Sequence, residues 1–321
     1  MTNSATPARR SSRTPVWAAL LLSGFAGMLV ATQSRMNGQL SVELGNGYVA
    51  AALSFTIGLV LVSVIVVCSP KGRRGIGLVR KEITTGRLPV WALFGGLGGA
   101  LFVLGQGTIT PIVGVALYTI GIVAGQVIGG LVLDTTGLGP GGRMQTSPTR
   151  LTGAVLVIIA VAITAFVDVH DWLGLLWLVL PVLFGAAVSM QSVANGLVRS
   201  AAQSALTATF GNFIVGASTL CVAALVSVLL NGLPESLPAT PWLYFGGPIG
   251  VLFIAIAAAL VRTAGVLMLS MSNVAGQLVA AVAFEVFLPL SAGVTVSLLC
   301  GAAIALLGVV IAALPSKRAA G

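Results

Sequence analysis

Side chains able to do chemistry are scarce in this chain, and the scarce ones recur at fixed spacing. Gln33 and Asn37 in "QSRMNGQL" are matched by Gln191 and Asn195 in "QSVANGLV". Residues four apart share one face of a helix, so each pair can offer two amides to a single polar group. Both pairs come late in their apolar runs and suit either gate residues or hydrogen bonds to loop backbone. Asn37-Gly38 and Asn195-Gly196 also read as helix-ending signals. Gln126 and Gln277 form a second repeated pair, each about 14 residues into an apolar run. They read either as paired ligands for a polar solute or as interhelical hydrogen bonds worth about 1–2 kcal/mol. Asn212 and Ser54 occupy equivalent positions, and Tyr118 is a further candidate for lining a path. Asp134 and Glu285 are the only carboxylates whose position repeats. A carboxylate inside a membrane can relay a proton, but both acids stand near helix ends, where the expectation is of interfacial acids solvated by water. Arg35 can attract an anionic solute or extend its charge to the interface.

Other chemistries lack their residues. There is no HExxH motif and no Walker loop, so neither a zinc protease nor an ATP-driven pump is expected. His170, the only histidine, stands in "DVHD" between Asp168 and Asp171, a solvated loop or a weak cation-attracting patch. Cys68, Cys221 and Cys300 form no CxxC pair and read as small apolar packing residues. No enzyme activity, cofactor or metal is expected.

The elements that must position these groups follow from composition. Of 321 residues 57% are apolar and only 7% charged, with a mean hydropathy of +1.07. A soluble domain carries about 25% charged residues, so this chain cannot cover a water-facing surface. A helix crossing a bilayer needs about 20 apolar residues. Ten such runs are present, near 16–38, 47–68, 89–108, 112–133, 150–167, 172–195, 204–230, 242–260, 264–287 and 291–314. They are continuous rather than alternating, which excludes barrel strands. The predicted fold is therefore an all-α, polytopic membrane protein with ten transmembrane helices.

With the N-terminus inside, every Lys and Arg of the 16 except Arg35 falls on the cytoplasmic side, as the positive-inside rule requires. Residues 1–15, with Arg9, Arg10 and Arg13, read as a retained basic cytoplasmic tail, and 315–321 as a second cytoplasmic tail. The basic stretch 71–87 reads as a topogenic loop near anionic lipid heads rather than as a nucleic-acid site.

The halves are duplicated. A shift of 158 residues aligns Gln33 with Gln191, Phe55 with Phe213 and Gly58 with Gly216. A shift of 151 aligns "WALFGGLGG" at 91–99 with "WLYFGGPIG" at 242–250, and "GVALYTIGIVAGQ" at 114–126 with "GVLMLSMSNVAGQ" at 265–277. The halves, 16–167 and 168–314, thus hold five helices each. An odd number makes the second enter the membrane from the opposite side, giving inverted five-helix repeats of the kind found in secondary transporters. Gly95, Gly99, Gly121, Gly125, Gly129, Gly246 and Gly250 show the small-xxx-small spacing that lets helices approach closely.

Ten helices as five plus five, with Q-x3-N-G late in the first helix of each half, resemble the drug/metabolite transporter superfamily. Within it, the run "GGLGGALFVLGQGTITPIVGVALYTIGIVAGQVIGGLVLDTTG" at 95–137 resembles the YdcZ-type inner-membrane exporters in their fused two-unit form. The second copy departs from this pattern, with Arg262 in place of Pro111 and Glu285 in place of Asp134. The small multidrug pumps of the superfamily carry a Glu in their first helix, and neither 16–38 nor 172–195 contains one. The expected function is secondary-active transport of a small polar molecule by alternating access. Export is implied by the resemblance alone. The expected partners are a small-molecule solute, the lipid bilayer and a coupling ion (proton or sodium), with no nucleic acid, in a monomer or homodimer. A non-transporting membrane scaffold or accessory subunit is the alternative, followed by a lipid-acting membrane enzyme.

Overall fold

The computed structural model describes residues 15–138, 143, 147–168, 172–264, 266–290 and 294–314. Residues 1–14 and 315–321 of the expected tails, His170 and Asp171 lie outside the described residues. The described residues form eleven α-helices: α1 (Val16–Leu44), α2 (Gly47–Cys68), α3 (Pro70–Thr84), α4 (Gly96–Thr108), α5 (Thr110–Thr136), α6 (Pro148–Asp168), α7 (Trp172–Ala202), α8 (Ala205–Asn231), α9 (Gly246–Ala264), α10 (Val266–Phe287) and α11 (Val296–Ala313). Six are long and apolar enough to cross a bilayer, and four shorter apolar helices accompany them. The protein is an all-α, polytopic membrane protein.

Local signals explain several ends. Gly45 terminates α1 with φ +62°, a conformation glycine adopts without strain. Asn46 then starts α2: its Oδ1 accepts from the N–H groups of Tyr48 (3.1 Å) and Val49 (3.2 Å). The same side chain donates through Nδ2 to Ser227 Oγ at 3.0 Å, tying this turn to α8. Asn46→Ala is expected to cost about 1–2 kcal/mol, read as a lowered melting temperature in detergent; an unchanged value would show that the turn does not depend on its cap.

Three expectations are corrected. Helix α1 runs past Asn37-Gly38 to Leu44, and α7 runs past Asn195-Gly196 to Ala202. Gly38 serves contact instead of termination, because a Cβ there would meet Leu290 and Thr110. The basic stretch folds as α3: Ser69 Oγ caps it at Gly72 N (3.2 Å), and Gly72 and Gly75 are buried against Leu206 and Thr207 of α8. Its glycines supply the narrow face that hydropathy alone does not reveal, while Lys71, Arg73, Arg74, Arg80 and Lys81 point outward. The cysteines do not pack inside; all three are exposed on helix surfaces.

The helices pair in a repeated pattern. The most extensive contacts are α5 with α7, α1 with α10, α6 with α11 and α2 with α8. The first two are built alike, residue for residue. A Cβ on Gly27 would overlap the Asn273 carbonyl and crowd Gln277 N, and a Cβ on Gly185 would overlap the Ile122 carbonyl and crowd Gln126 N. Gly276 abuts the Gly24 carbonyl as Gly125 abuts that of Val182. Where α2 crosses α8, Phe55 lies over Gly216 and Phe213 over Gly58, with ring centroids 5.0 Å apart. In lipid no hydrophobic drive separates apolar side chains from their solvent, so such backbone-level approach supplies much of the adhesion.

Candidate functional site

The first Q-x3-N pair stands in a buried polar cluster formed by α1, α2, α4 and α9. Asn37 Nδ2 donates to Gln106 Oε1 at 2.6 Å, and Gln106 Nε2 donates to Ser34 Oγ at 2.8 Å. Gln33, Asn37, Ser54 and Gln106 are each at most 4% exposed. Gln33 lies against Gly250, while Asn37 Oδ1 and Ser54 Oγ both converge on Gly246, one turn earlier on α9. Among the described residues, Asn37 Oδ1, Ser54 Oγ and the hydroxyl of Thr110 have no hydrogen-bond partner. Each such buried atom costs about 1–3 kcal/mol, so this cluster is closed at an energetic cost.

The second pair stands in the corresponding cluster of α7, α8 and α4. Gln191 Nε2 donates to Asn212 Oδ1 at 3.0 Å, with Gln191 beside Gly99 and Asn195 beside Gly95. Asn212 replaces Ser54 and is long enough to reach the glutamine, so the bond missing from the first cluster is made here. Burial differs as well. Gln191 and Asn195 are partly exposed and Ser192 is exposed, whereas Gln33, Ser34 and Asn37 are buried.

Gln126 and Gln277 stand on different seams, and among the described residues no hydrogen bond joins their side chains. Gln277, at the α1–α10 crossing, donates to Asn273 Oδ1 at 2.7 Å. Gln126, at the α5–α7 crossing, is partly exposed and accepts from Ser189 Oγ through its backbone carbonyl at 2.9 Å. Tyr118 is fully buried, and its hydroxyl donates to the Phe102 carbonyl at 2.5 Å.

Glu285 departs from the expected water-solvated acid near a helix end. It is only 2% exposed, because α1 and α5 cover the end of α10. Helix α5 is interrupted at Gly114 (φ 83°, ψ 162°), and the N–H of Val115 just beyond the break donates to Glu285 Oε2 at 3.0 Å. Arg35 lies within the electrostatic reach of this carboxylate. Its guanidinium donates to the Leu288 carbonyl (2.9 Å) and to Gln39 Oε1 (2.8 Å). The side chains of Asp134 and Arg262 lie outside the described residues. No cluster of metal-ligating side chains occurs among the described residues.

Gln106, Thr110 and the Gly114 break are the features that sequence reasoning missed. Gln106 left a signal: it is the one amide in its apolar run, and its counterpart at a shift of 151 is Ala257.

This duplicated arrangement has a match among protein families. The family described as "Putative inner membrane exporter, YdcZ" matches twice, over residues 18–163 and 176–311. The chain belongs to this family. The two matched segments accord with the two-repeat form, and the family is described as one of exporters, not of enzymes. Three chains of solved structure are also similar. One, named only "Crystal structure of protein", has a TM-score of 0.52 at 17% identity, covering 92% of this chain and 97% of its own. That likeness is one of fold. No curated protein matches.

Proposed function

We propose that the protein is a secondary-active transporter of a small polar molecule, working by alternating access between two inverted five-helix halves. The ten membrane-crossing helices are α1, α2 and α4 to α11, with α3 lying along the cytoplasmic surface. The basic residues orient both termini to the cytoplasm. On this reading the Gln33–Asn37 pair lies toward the outside and the Gln191–Asn195 pair toward the cytoplasm. The observation that carries the reading is the difference between these equivalent motifs: the outer one is sealed and the inner one is partly open. Amides exposed at membrane depth are costly unless they meet water. Open Gln191 and Asn195 therefore mark a wet mouth, and the chain is in an inward-facing state.

The unpartnered atoms beside Gly246 supply a reason for the outer seam to open, since water or solute satisfies them once α9 separates from α1. Gln33, Asn37, Ser54 and Asn212 are assigned to solute contact, with Gln126 and Gln277 flanking the route. An uncharged, hydrogen-bonding set of groups suits a neutral or zwitterionic solute, and the direction is export.

Single cysteines test the two mouths after Cys68, Cys221 and Cys300 are replaced by alanine. In lipid nanodiscs, where the reagent reaches both faces, an impermeant thiol reagent should modify the Asn195→Cys variant at least about tenfold faster than Asn37→Cys. A conformational bias of about 1.4 kcal/mol is enough for that ratio. Equal rates would refute the two-mouth reading and favour a non-transporting scaffold.

A further inference from the structure

The polar cluster leaves one buried ionisable group unused. We infer that Glu285 is the proton-binding residue of the transport cycle, and that its carboxylate latches the break in α5 until a proton takes its charge. This inference rests on the transporter reading above.

The break itself creates the demand. At Gly114 the backbone leaves the helical region, and the Val115 N–H loses its place in the ladder of α5. Val115 is fully buried, and a free N–H there must find a partner inside the protein. Glu285 provides it at 3.0 Å, and a charged acceptor makes the strongest such bond. The carboxylate lies flat on the glycine: a Cβ on Gly114 would stand 2.6 Å from Oε2, 2.7 Å from Oε1 and 2.8 Å from Cδ. Charge and backbone are thus fitted to each other.

Charged neighbours define what the proton would change. Of the helices packed on α10, α1 carries Arg35 and Glu43, α5 carries Asp134 and α9 carries Arg262, while α11 carries no charge. Asp134 is 20 residues beyond the break, about 30 Å along a helix. Among the described residues Arg35 stands in electrostatic contact with Glu285, and its guanidinium donates to Gln39, which donates in turn to Glu43 at 2.9 Å. Arg35 lies between Gln33 and Asn37 on α1. Thr110, at the head of α5, lies beside Gly38 and has a buried hydroxyl without a partner among the described residues. Latch and solute cluster therefore share α1 and the start of α5, and movement at one is felt at the other.

The step is a protonation. A proton from water adds to one carboxylate oxygen, and the resulting neutral acid attracts Arg35 and the Val115 N–H less strongly. Helix α5 is released at its break. Loss of the proton to water on the other side restores the charge and the latch.

The probe is the proton itself, applied to the full-length protein in lipid nanodiscs. As the medium is acidified, infrared difference spectra should gain the carbonyl band of a buried protonated acid. Amide exchange at Val115, corrected for its intrinsic pH dependence, should accelerate about tenfold or more. Glu285→Gln should lack the band and exchange rapidly at every pH. Glu285→Asp, one methylene shorter, should retain the band and lose the protection. Wild-type protein without the band, or with pH-independent protection at Val115, would overturn the assignment whether or not the variants fold. Either result would leave the transporter reading to its own test, the cysteine labelling.

Discussion

Gly27→Ala is expected to destabilise the detergent-solubilised protein by about 3 kcal/mol or more, at the upper end of overpacking costs. For a chain of this size that corresponds to a melting temperature roughly 5–10 °C lower. The added methyl group would occupy the space of the Asn273 carbonyl oxygen and press on Gln277 N. Both obstacles are backbone atoms of α10, so no side-chain rotation relieves them and the two helices must separate. Separation forfeits the close approach on which helix association in lipid depends. Gly185→Ala is expected to act alike, since Ile122 and Gln126 of α5 stand where Asn273 and Gln277 stand on α10. Gly77→Ala and Gly130→Ala are the controls. Both glycines face open space, and in an exposed helix the change is neutral or stabilising by up to about 1 kcal/mol. Equal melting temperatures for the seam and control variants would show that α1 and α10 do not meet at backbone distance.

Gly114→Ala combines two penalties. The backbone at φ 83°, ψ 162° lies in a region that is essentially glycine's own, at a cost of about 1–3 kcal/mol for any other residue. The new Cβ would also stand 2.6 Å from the Glu285 carboxylate and drive it off the Val115 N–H. Losing a hydrogen bond to a buried charge costs a further ~1.5–3 kcal/mol. A total of about 4 kcal/mol is expected, with rapid amide exchange across the break. The effects of Gly114→Ala and Glu285→Gln should fall short of additivity, because each weakens the same contact. Strict additivity in melting experiments on the double variant would mean that glycine and carboxylate act independently.

The two variants probe features that were unequally visible beforehand. Gly27 and Gly185 are aligned by the internal duplication, so one seam implies the other once either is known. Which helix each glycine would meet was not readable, because small-residue spacing specifies a smooth face and not its partner. Gly114 was one of 41 glycines and carried no mark of its positive φ. The charge of Glu285 and its repeat with Asp134 are legible in the sequence, yet counting along one helix places it at a wet end. It could not register that α1 and α5 fold over that end.

Asn37 shows the same division at the level of one side chain. Its depth and its pairing with Gln33 follow from spacing along one helix. Its bond to Gln106 spans 69 residues, and the aim of its Oδ1 at Gly246 depends on where α9 crosses α1.

Composition, run length and self-similarity determined the membrane class, the helical elements and the duplicated plan, because each expresses a free energy summed along a local stretch: about 20 apolar residues suffice for a span whatever lies beside it. Tertiary structure alone decided which polar groups are satisfied, which are left open and where the buried carboxylate finds its partner. Those outcomes turn on the crossing of helices distant in sequence, and a shift of one ångström there makes or breaks a hydrogen bond.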